Sequence, residues 1–396
     1  MVGTEVFRGA TVFQPKLWAV RATAVINFNY LAQGSLSLAA AERGPTVVAL
    51  EEGFYERRLL VLNRRFDFLS LRIGMQPFTS DFRGYLFSEN QLGARLFGNA
   101  HGNRSQYNLA IFSMRERDEV SQLHRLSSGE QRLFVANYYF QDFLAPGYTL
   151  MGSYHHNRDG GLSAHYLGWH GDGRFRSWNL SHAFYQALGR EGFNRFARRS
   201  VALNAQMAAL EVSRDSDWAR YRFSVFYASP DRELDDDRAT GFDMISDNPN
   251  FAGGQFMFWI QQKTTIPGLA SLSDKFSLLP NLRSKFRERS NFVNPGLWLL
   301  NAGLDLRLTT KLKTNTNLSY LRLADAAVLR ELLNDEGIDE EIGLDASFGA
   351  KYRPLLNENV TVVAGGSFLM PSGGLSHLLE RSAPLFSVFV ALALAY

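Results

Sequence analysis

The chain of 396 residues contains no cysteine. Disulfides, thiolate metal sites and cysteine nucleophiles are therefore excluded, while the compartment stays open, because an absence of cysteine suits reducing and oxidising surroundings alike. No apolar run approaches the ~20 residues that a membrane-spanning helix needs. Mean hydropathy is -0.18, the value of an ordinary water-soluble protein. Charge of one sign is lacking too: 42 Lys and Arg stand against 39 Asp and Glu, a formal excess of +3. That balance gives no argument for nucleic acid as a partner. The start, Met1 to Arg8, lacks the basic stretch followed by an apolar one that marks a secretory signal. A cytoplasmic protein fits this, and so does an exported one whose signal has been removed. No Pro- or Gly-rich linker divides the chain, so residues 1–396 are expected to form a single domain.

What is abundant points elsewhere. Aromatic residues make up 13% of the chain, with 31 Phe and 15 Tyr, and 33 Gly are spread throughout. That mixture favours strands over helices. From Leu297, LWLLNAGLDLRLTT places Trp298, Leu300, Ala302, Leu304, Leu306 and Leu308 on one parity and Asn301, Gly303, Asp305 and Arg307 on the other. After a two-residue turn, KLKTNTNLSYLR sets Leu312, Thr314, Thr316, Leu318 and Tyr320 against Lys311, Lys313, Asn315, Asn317 and Ser319. In EIGLDASFGAKYR, Ile342, Leu344, Ala346, Phe348, Ala350 and Tyr352 oppose Gly343, Asp345, Ser347, Gly349, Lys351 and Arg353. Alternation sustained this long marks strands. Strands of globular sheets average about five or six residues, whereas a tilted membrane-crossing strand needs roughly 9 to 11. Length therefore favours an antiparallel transmembrane β-barrel over a soluble sandwich.

Extending the same reading gives about sixteen strands, with roughly 14 and 18 as bounds. They span 17–30, 49–62, 65–77, 90–100, 103–115, 130–141, 145–156, 160–170, 175–188, 198–212, 217–229, 295–309, 311–323, 341–353, 358–370 and 384–396. Short connections, such as 63–64, 99–102, 171–174 and 309–310, alternate with mostly longer ones, such as 31–48, 78–89, 189–197, 324–340 and 371–383. A sandwich has no reason to confine long loops to every second connection. An outer-membrane barrel does, because its periplasmic turns are short and its outer loops long. An even strand number puts both chain ends on the periplasmic side, and closure removes the unpaired edges that lipid does not tolerate.

Residues 230–294 are exceptional, with an acidic start, DRELDDD, and a basic end, RSKFRER. A structureless loop of that length is improbable. Three outcomes are open: a hairpin around 256–260, an inward fold that narrows the lumen, or two further spanning strands. ADAAVLRELLNDEG, 324–337, reads as a short helix in the outer loop 324–340, ending at Gly337.

Several stretches resemble a known family: NFNYL (27–31), SDFRGYLF (80–87), RLFGNA (95–100), SHAFYQALG (181–189) and NAQMAALE (204–211). GFDMISDNPNFAGG (241–254), NFVNPGLWLLNAG (291–303) and KYRPLLNEN (351–359) do so as well. The chain is similar to a widespread, largely uncharacterised family of porin-like outer-membrane β-barrels of Gram-negative bacteria. The resemblance implies the barrel fold, the bacterial cell outer membrane and a cleaved signal peptide, and it brings no established substrate or catalytic residue. The last strand fits it. Phe386, Val388, Val390, Leu392, Leu394 and Tyr396 share the lipid-facing parity, and an outward aromatic at the end looks like the signal read by the outer-membrane barrel assembly machinery.

Function then rests on the inward face. Its charged candidates are Arg21, Arg72, Arg95, Arg220, Arg222, Arg307 and Lys351, with Asp305, Asp345 and Glu211 opposing them. A basic excess at a constriction favours anions; the plainer reading is pairing across a wetted interior. His155, His156, His165 and His170 fall in adjacent strands, where imidazoles can ligate a metal or haem. No carboxylate–histidine spacing matches, so ordinary rim or lumen histidines, no metal and no cofactor are expected. Asp231, Glu233, Asp235, Asp236 and Asp237 lack the spacing of a calcium loop. No nucleophile–base pair or phosphate loop is singled out, so an enzyme is not expected. The leading expectation is a passive channel for small hydrophilic or ionic solutes, held in outer-membrane lipid and lipopolysaccharide. The alternative is a non-conducting barrel serving as sleeve or anchor for a multihaem cytochrome, an exported polymer or a surface complex.

Overall fold

A two-residue period gives a strand one polar and one apolar face, and adjacent strands of this kind share those faces only if they pair in register. The computed structural model describes residues 2–13, 17–31, 47–62, 67–117, 124–267, 271–280, 282, 290–356 and 359–394. It shows one sheet of seventeen long strands, running antiparallel in chain order. They are β1 (Val2–Phe13), β2 (Trp18–Leu31), β3 (Val47–Val61), β4 (Phe68–Thr79), β5 (Ser88–Ala100) and β6 (Ser105–Arg117). Next come β7 (His124–Phe140), β8 (Tyr148–Asp159), β9 (Leu162–Phe175), β10 (Trp178–Glu191), β11 (Val201–Ser216) and β12 (Ala219–Ala228). A two-residue β13 (Arg238–Ala239) adds in parallel to β11, and β12 pairs directly with β14 (Leu297–Arg307). β15 (Leu312–Arg322), β16 (Glu341–Tyr352), β17 (Val360–Pro371) and β18 (Leu385–Leu394) complete the meander. Among the described residues no ladder joins β18 to β1.

The sixteen strands expected from alternation are β2 to β12 and β14 to β18, and β1 is an addition. Its sequence, VGTEVFRGATVF, mixes Val, Thr and Arg on one parity with Gly, Glu and Phe on the other. Neither face is clean, so period alone gives no signal there. Val2 pairs with Leu31, at the long-loop end of the sheet, which corrects the expectation that both ends of the chain lie beside the short turns.

The connections fall into two sets. One end of the sheet carries tight turns at 101–104, 176–177, 217–218 and 308–311. At 101–103 three successive residues take positive φ (58°, 68° and 68°), and the Asp67 carboxylate accepts from the Gly102 and Asn103 amides at 2.9 and 3.1 Å. The opposite end carries 80–87, 192–200, 229–296, 323–340 and 372–384. Among the fully described connections, 141–147 at the tight end and 160–161 at the long end depart from the rule. Short helices sit in three long connections: α1 (Phe258–Gln261), α2 (Ala327–Leu333) and α3 (Gly373–Leu378). α2 stops at Asn334, a left-handed C-cap with φ 51°, three residues before the glycine expected to end it.

Outward faces are apolar in register. Phe223, Ala302, Leu318, Ala346, Phe368 and Phe386 form one continuous row across β12 and β14–β18. Its large members are exposed, and so are Val388, Val390, Leu392 and Leu394 on β18. Tyr396, the expected end of the insertion signal, lies outside the described residues. The inward faces bury against two of the long connections, 80–87 and the described parts of the second (241–267, 271–280 and 290–294), which turn into the sheet's concave side. Among the described residues the second contains no spanning strand. The hairpin expected near 256–260 is instead the helical turn α1, whose Phe258, Trp259 and Ile260 are buried.

Candidate functional site

Pairing turns the inward parity into rows of neighbours. Nearest the tight turns, Arg307, Lys313 and Lys351 stand side by side on β14, β15 and β16. The next row runs Asp215, Arg220, Asp305, Asn315, Gly349, Gly365 and Phe389. Above it are Ser213, Arg222, Gly303, Asn317, Ser347, Ser367 and Ser387, and then Glu211, Ser224, Asn301, Ser319 and Asp345. Above the cationic first row, Gly and Ser occupy many of the positions between the charged and amide side chains. That leaves room for something to lie against the wall.

What lies there is the chain itself. The segment 80–87 folds around Asp81, whose carboxylate accepts from the amides of Arg83 (3.0 Å), Gly84 (2.6 Å), Tyr85 (3.1 Å) and Leu86 (3.1 Å) and from the Tyr185 hydroxyl (3.0 Å). Residues 245–250 run beside it, with the amides of Ile245, Asn248 and Asn250 donating to the carbonyls of Leu86, Gly84 and Arg83 at 3.0, 3.0 and 2.8 Å. Arg83 then reaches the wall, 3.2 Å from Glu211 and 3.5 Å from Asp172. Farther along, the Trp259 amide donates to Asp345 at 2.9 Å and its indole N–H to the Leu278 carbonyl at 2.7 Å. Gln262 donates to the Ser387 hydroxyl at 3.1 Å. The Phe256 ring lies across Gly349 and Gly365, where a Cβ would come within 2.2 and 2.6 Å of it, and stacks on Phe389 at 5.8 Å. Polar bonds and a glycine notch together hold this plug to the walls.

The space left beside the plug is divided. A cavity of about 450 Å³ faces the tight-turn end, lined by Arg220, Arg307, Lys313 and Lys351 with Asp215, Asp217 and Asp305. Asp215 is paired with Arg220 at 2.6 Å, and Asp305 with Arg222 at 3.2 Å. Arg307 and Lys313 have no hydrogen-bonded or ion-paired side-chain partner among the described residues. The lining thus carries four basic side chains against three acidic ones, with Arg307 and Lys313 not neutralised by a direct contact. A second space of about 480 Å³ is walled by amides, including Asn248, Asn250 and Gln261, with Phe276 and Phe389. Gln255 borders both.

The remaining sequence candidates fall in different places. Arg72 and Arg95 are cross-strand neighbours on β4 and β5, remote in the sheet order from Arg307. Arg72 pairs with Glu56 at 2.6 Å and lies 4.3 Å over the Phe54 ring; Arg95 donates to Asn108 and lies 4.5 Å over Phe97. Arg21 is paired with Glu52 at 2.5 Å. Asp345 is inward but buried beneath the plug, so it opposes no lumen cation. The four histidines divide: His155 and His170 are buried inside, whereas His156 and His165 stack on the outer face at 4.3 Å. Among the described residues no group of three or more His, Asp or Glu side chains is arranged to hold a metal. Sequence reasoning did not nominate Lys313, Arg83 or Phe256. Lys313 had a signal, since it shares the parity of Asn315 and Asn317. Arg83 and Phe256 lie in loops, where no period speaks.

An antiparallel meander of long strands, apolar outside and filled by its own long connections, matches solved barrels over nearly its whole length. *Pseudomonas aeruginosa* OpdK superposes with a TM-score of 0.57 at 11% identity, covering 99% of this chain and 92% of that one. The fold is that of an outer-membrane porin barrel. *Acinetobacter baumannii* OccAB2 gives 0.58 at 10% identity, with coverage of 99% and 92%. *Pseudomonas aeruginosa* OprD gives 0.54 at 12%, with 99% and 88%. No family model matches the sequence, and no curated protein does. The porin barrel is thus carried by strand length, order and face, at a sequence identity too low to transfer any residue's role.

Proposed function

We propose that this chain is an outer-membrane channel that passes small hydrophilic solutes by diffusion and prefers anions. The observation that carries the reading is the cationic row Arg307–Lys313–Lys351, set with Arg220 around the cavity of about 450 Å³ at the tight-turn end. Charges in a narrow, poorly screened space act more strongly than on an open surface, so a surplus of cations raises the local concentration of anions. Small carboxylates are the solute class that fits guanidinium and ammonium donors there. Structures of this fold have been solved for OpdK with vanillate and for *Pseudomonas aeruginosa* OccK2 with glucuronate. Among the described residues the plug occupies much of the interior and leaves divided spaces beside it. A sleeve around a polymer or a cytochrome is not proposed for that reason.

Planar-bilayer recording of the purified protein tests this. The wild type should conduct and should show an anion-selective reversal potential in a salt gradient. The Arg307→Gln/Lys313→Gln/Lys351→Gln variant should keep its conductance and lose most of the anion preference. A wild type silent at every salt and voltage sinks the channel, and an unchanged reversal potential in the variant sinks the assignment of the row.

A further inference from the structure

The outward face is not apolar everywhere. Across β7–β10, toward the long-loop end, one register row reads Arg132, Arg158, Ser163 and Arg190. The next row inward along the strands reads Phe134, His156, His165 and Leu188. The three arginine side chains are exposed, and none has an acidic partner among the described residues. Arg132 spends one guanidinium nitrogen on the backbone carbonyls of Gly129 and Gln131. His156 and His165 are stacked 6° from parallel and tied to Ser163 and Tyr154 at 3.0 and 2.8 Å. At the same end of β15, Arg322 is neutralised by Glu340 at 3.3 Å and Glu341 at 3.9 Å. The three arginines of the β7–β10 row have no such neutralising carboxylate among the described residues.

Their height matters. Four register rows separate Arg158 from Leu150, eight residues lower on β8, where Phe140, Leu150 and His182 mark the other rim. At about 3.4 Å per residue and a tilt near 40°, that is roughly 20 Å along the membrane normal, close to the ~25 Å apolar band of a barrel. The arginine row therefore falls where hydrocarbon gives way to headgroups. Guanidinium groups without a carboxylate partner would be costly against acyl chains; against phosphates they form bidentate, charge-assisted bonds. The outer arginines stand three strands apart, roughly 14 Å, a span suited to a headgroup larger than one phosphate.

We propose that the outward face of β7–β10 is a docking surface for the phosphorylated headgroup of an outer-leaflet glycolipid, held by Arg132, Arg158 and Arg190 with His156 and His165 beneath them. The assignment rests on the outer-membrane placement proposed above, with the long loops outward, and not on conduction. Native mass spectrometry of the full-length protein, released from micelles doped with bis-phosphorylated lipid A, tests it. The wild type should retain lipid A, and Arg132→Gln/Arg158→Gln/Arg190→Gln should lower retention roughly tenfold or more, because charge-assisted hydrogen bonds to the phosphates are lost. Dephosphorylated lipid A should be retained no better by the wild type than lipid A is by that variant. Arg174→Gln/Arg176→Gln/Arg214→Gln, with the same charge loss beside the tight turns, should behave as the wild type. Circular dichroism checks that both variants keep their strand signal. No retention by the wild type, equal loss in both variants, or equal retention of the dephosphorylated lipid overturns the proposal. A silent bilayer trace leaves it standing; a conducting protein that retains no lipid A overturns it alone.

Discussion

Phe256 lies where two wall residues have no side chain. Gly349 and Gly365 face inward on β16 and β17, and any Cβ there would drive into the Phe256 ring. Gly349→Ala should therefore cost about 1–3 kcal/mol as an overpacked contact, read by urea unfolding of the protein in liposomes. Phe256→Ala should lose the buried ring's packing by itself. Combined, the two should cost clearly less than their sum, because the ring that the new methyl strikes is gone. Strict additivity would mean that Phe256 does not occupy the notch. Asp81 illustrates a different economy. One buried carboxylate satisfies four successive amides and a tyrosine hydroxyl, so a tight inward turn needs no sheet partner of its own.

At the level of elements, the base of the long connection after β12 is closed by Asp231. Its carboxylate accepts from the Thr240 amide at 3.3 Å and hydroxyl at 3.2 Å, while its own amide donates to the Asn294 carbonyl at 2.8 Å. Burial pushes the carboxyl up to about 7, against the Thr240 hydrogen bonds that pull it down. A folded value above the unfolded one, near 3.9, means that the folded loop binds the extra proton. Its stability is then fullest below about pH 4 and falls as pH rises toward 7. Asp231→Asn should flatten that slope, measured as exchange protection of the Thr240 amide between pH 5 and 8 (approximate bounds set by the same linkage). A slope that persists unchanged would assign it to another group.

Elements also show what the sequence makes legible. The clearest strands declare themselves because one parity stays apolar over a membrane's depth, as Trp298 to Leu306 do on β14. The spans between 130 and 188 alternate less cleanly, with Tyr and Phe on both faces. β1 does not declare itself, since Phe7 and Phe13 fall on one parity and Val6 and Val12 on the other. The inward parity of Arg222 or Asp345 can be read in the same way. Whether such a group meets water, a counter-ion or the plug depends on loops without a period, which is why Asp345 reads as a lumen charge and lies under Trp259. Arg83 crosses from a loop to Glu211, a pairing that no local pattern encodes.

On the scale of the whole molecule, the apolar exterior is the feature most exposed to test. Leu318 belongs to a register row midway along its strands, between Phe223 and Phe368. Leu318→Arg should cost roughly 2–4 kcal/mol in a bilayer, whereas Tyr352→Arg, beside the tight turns, should cost only about 0–1. Unfolding from liposomes measures both, and equal costs at the two depths would remove lipid from that face.

The plug also has a place in time. It lies between β12 and β14, yet its Trp259 amide is satisfied by Asp345 and its Gln262 by Ser387, 86 and 125 residues apart in sequence. Segments that early in the chain wait for partners that arrive late. Such distant pairings carry a loop-closure cost before any reward and slow folding. The interior is therefore finished only when the last three strands are laid down, and a chain halted after β15 would hold a wall with its filling unmoored.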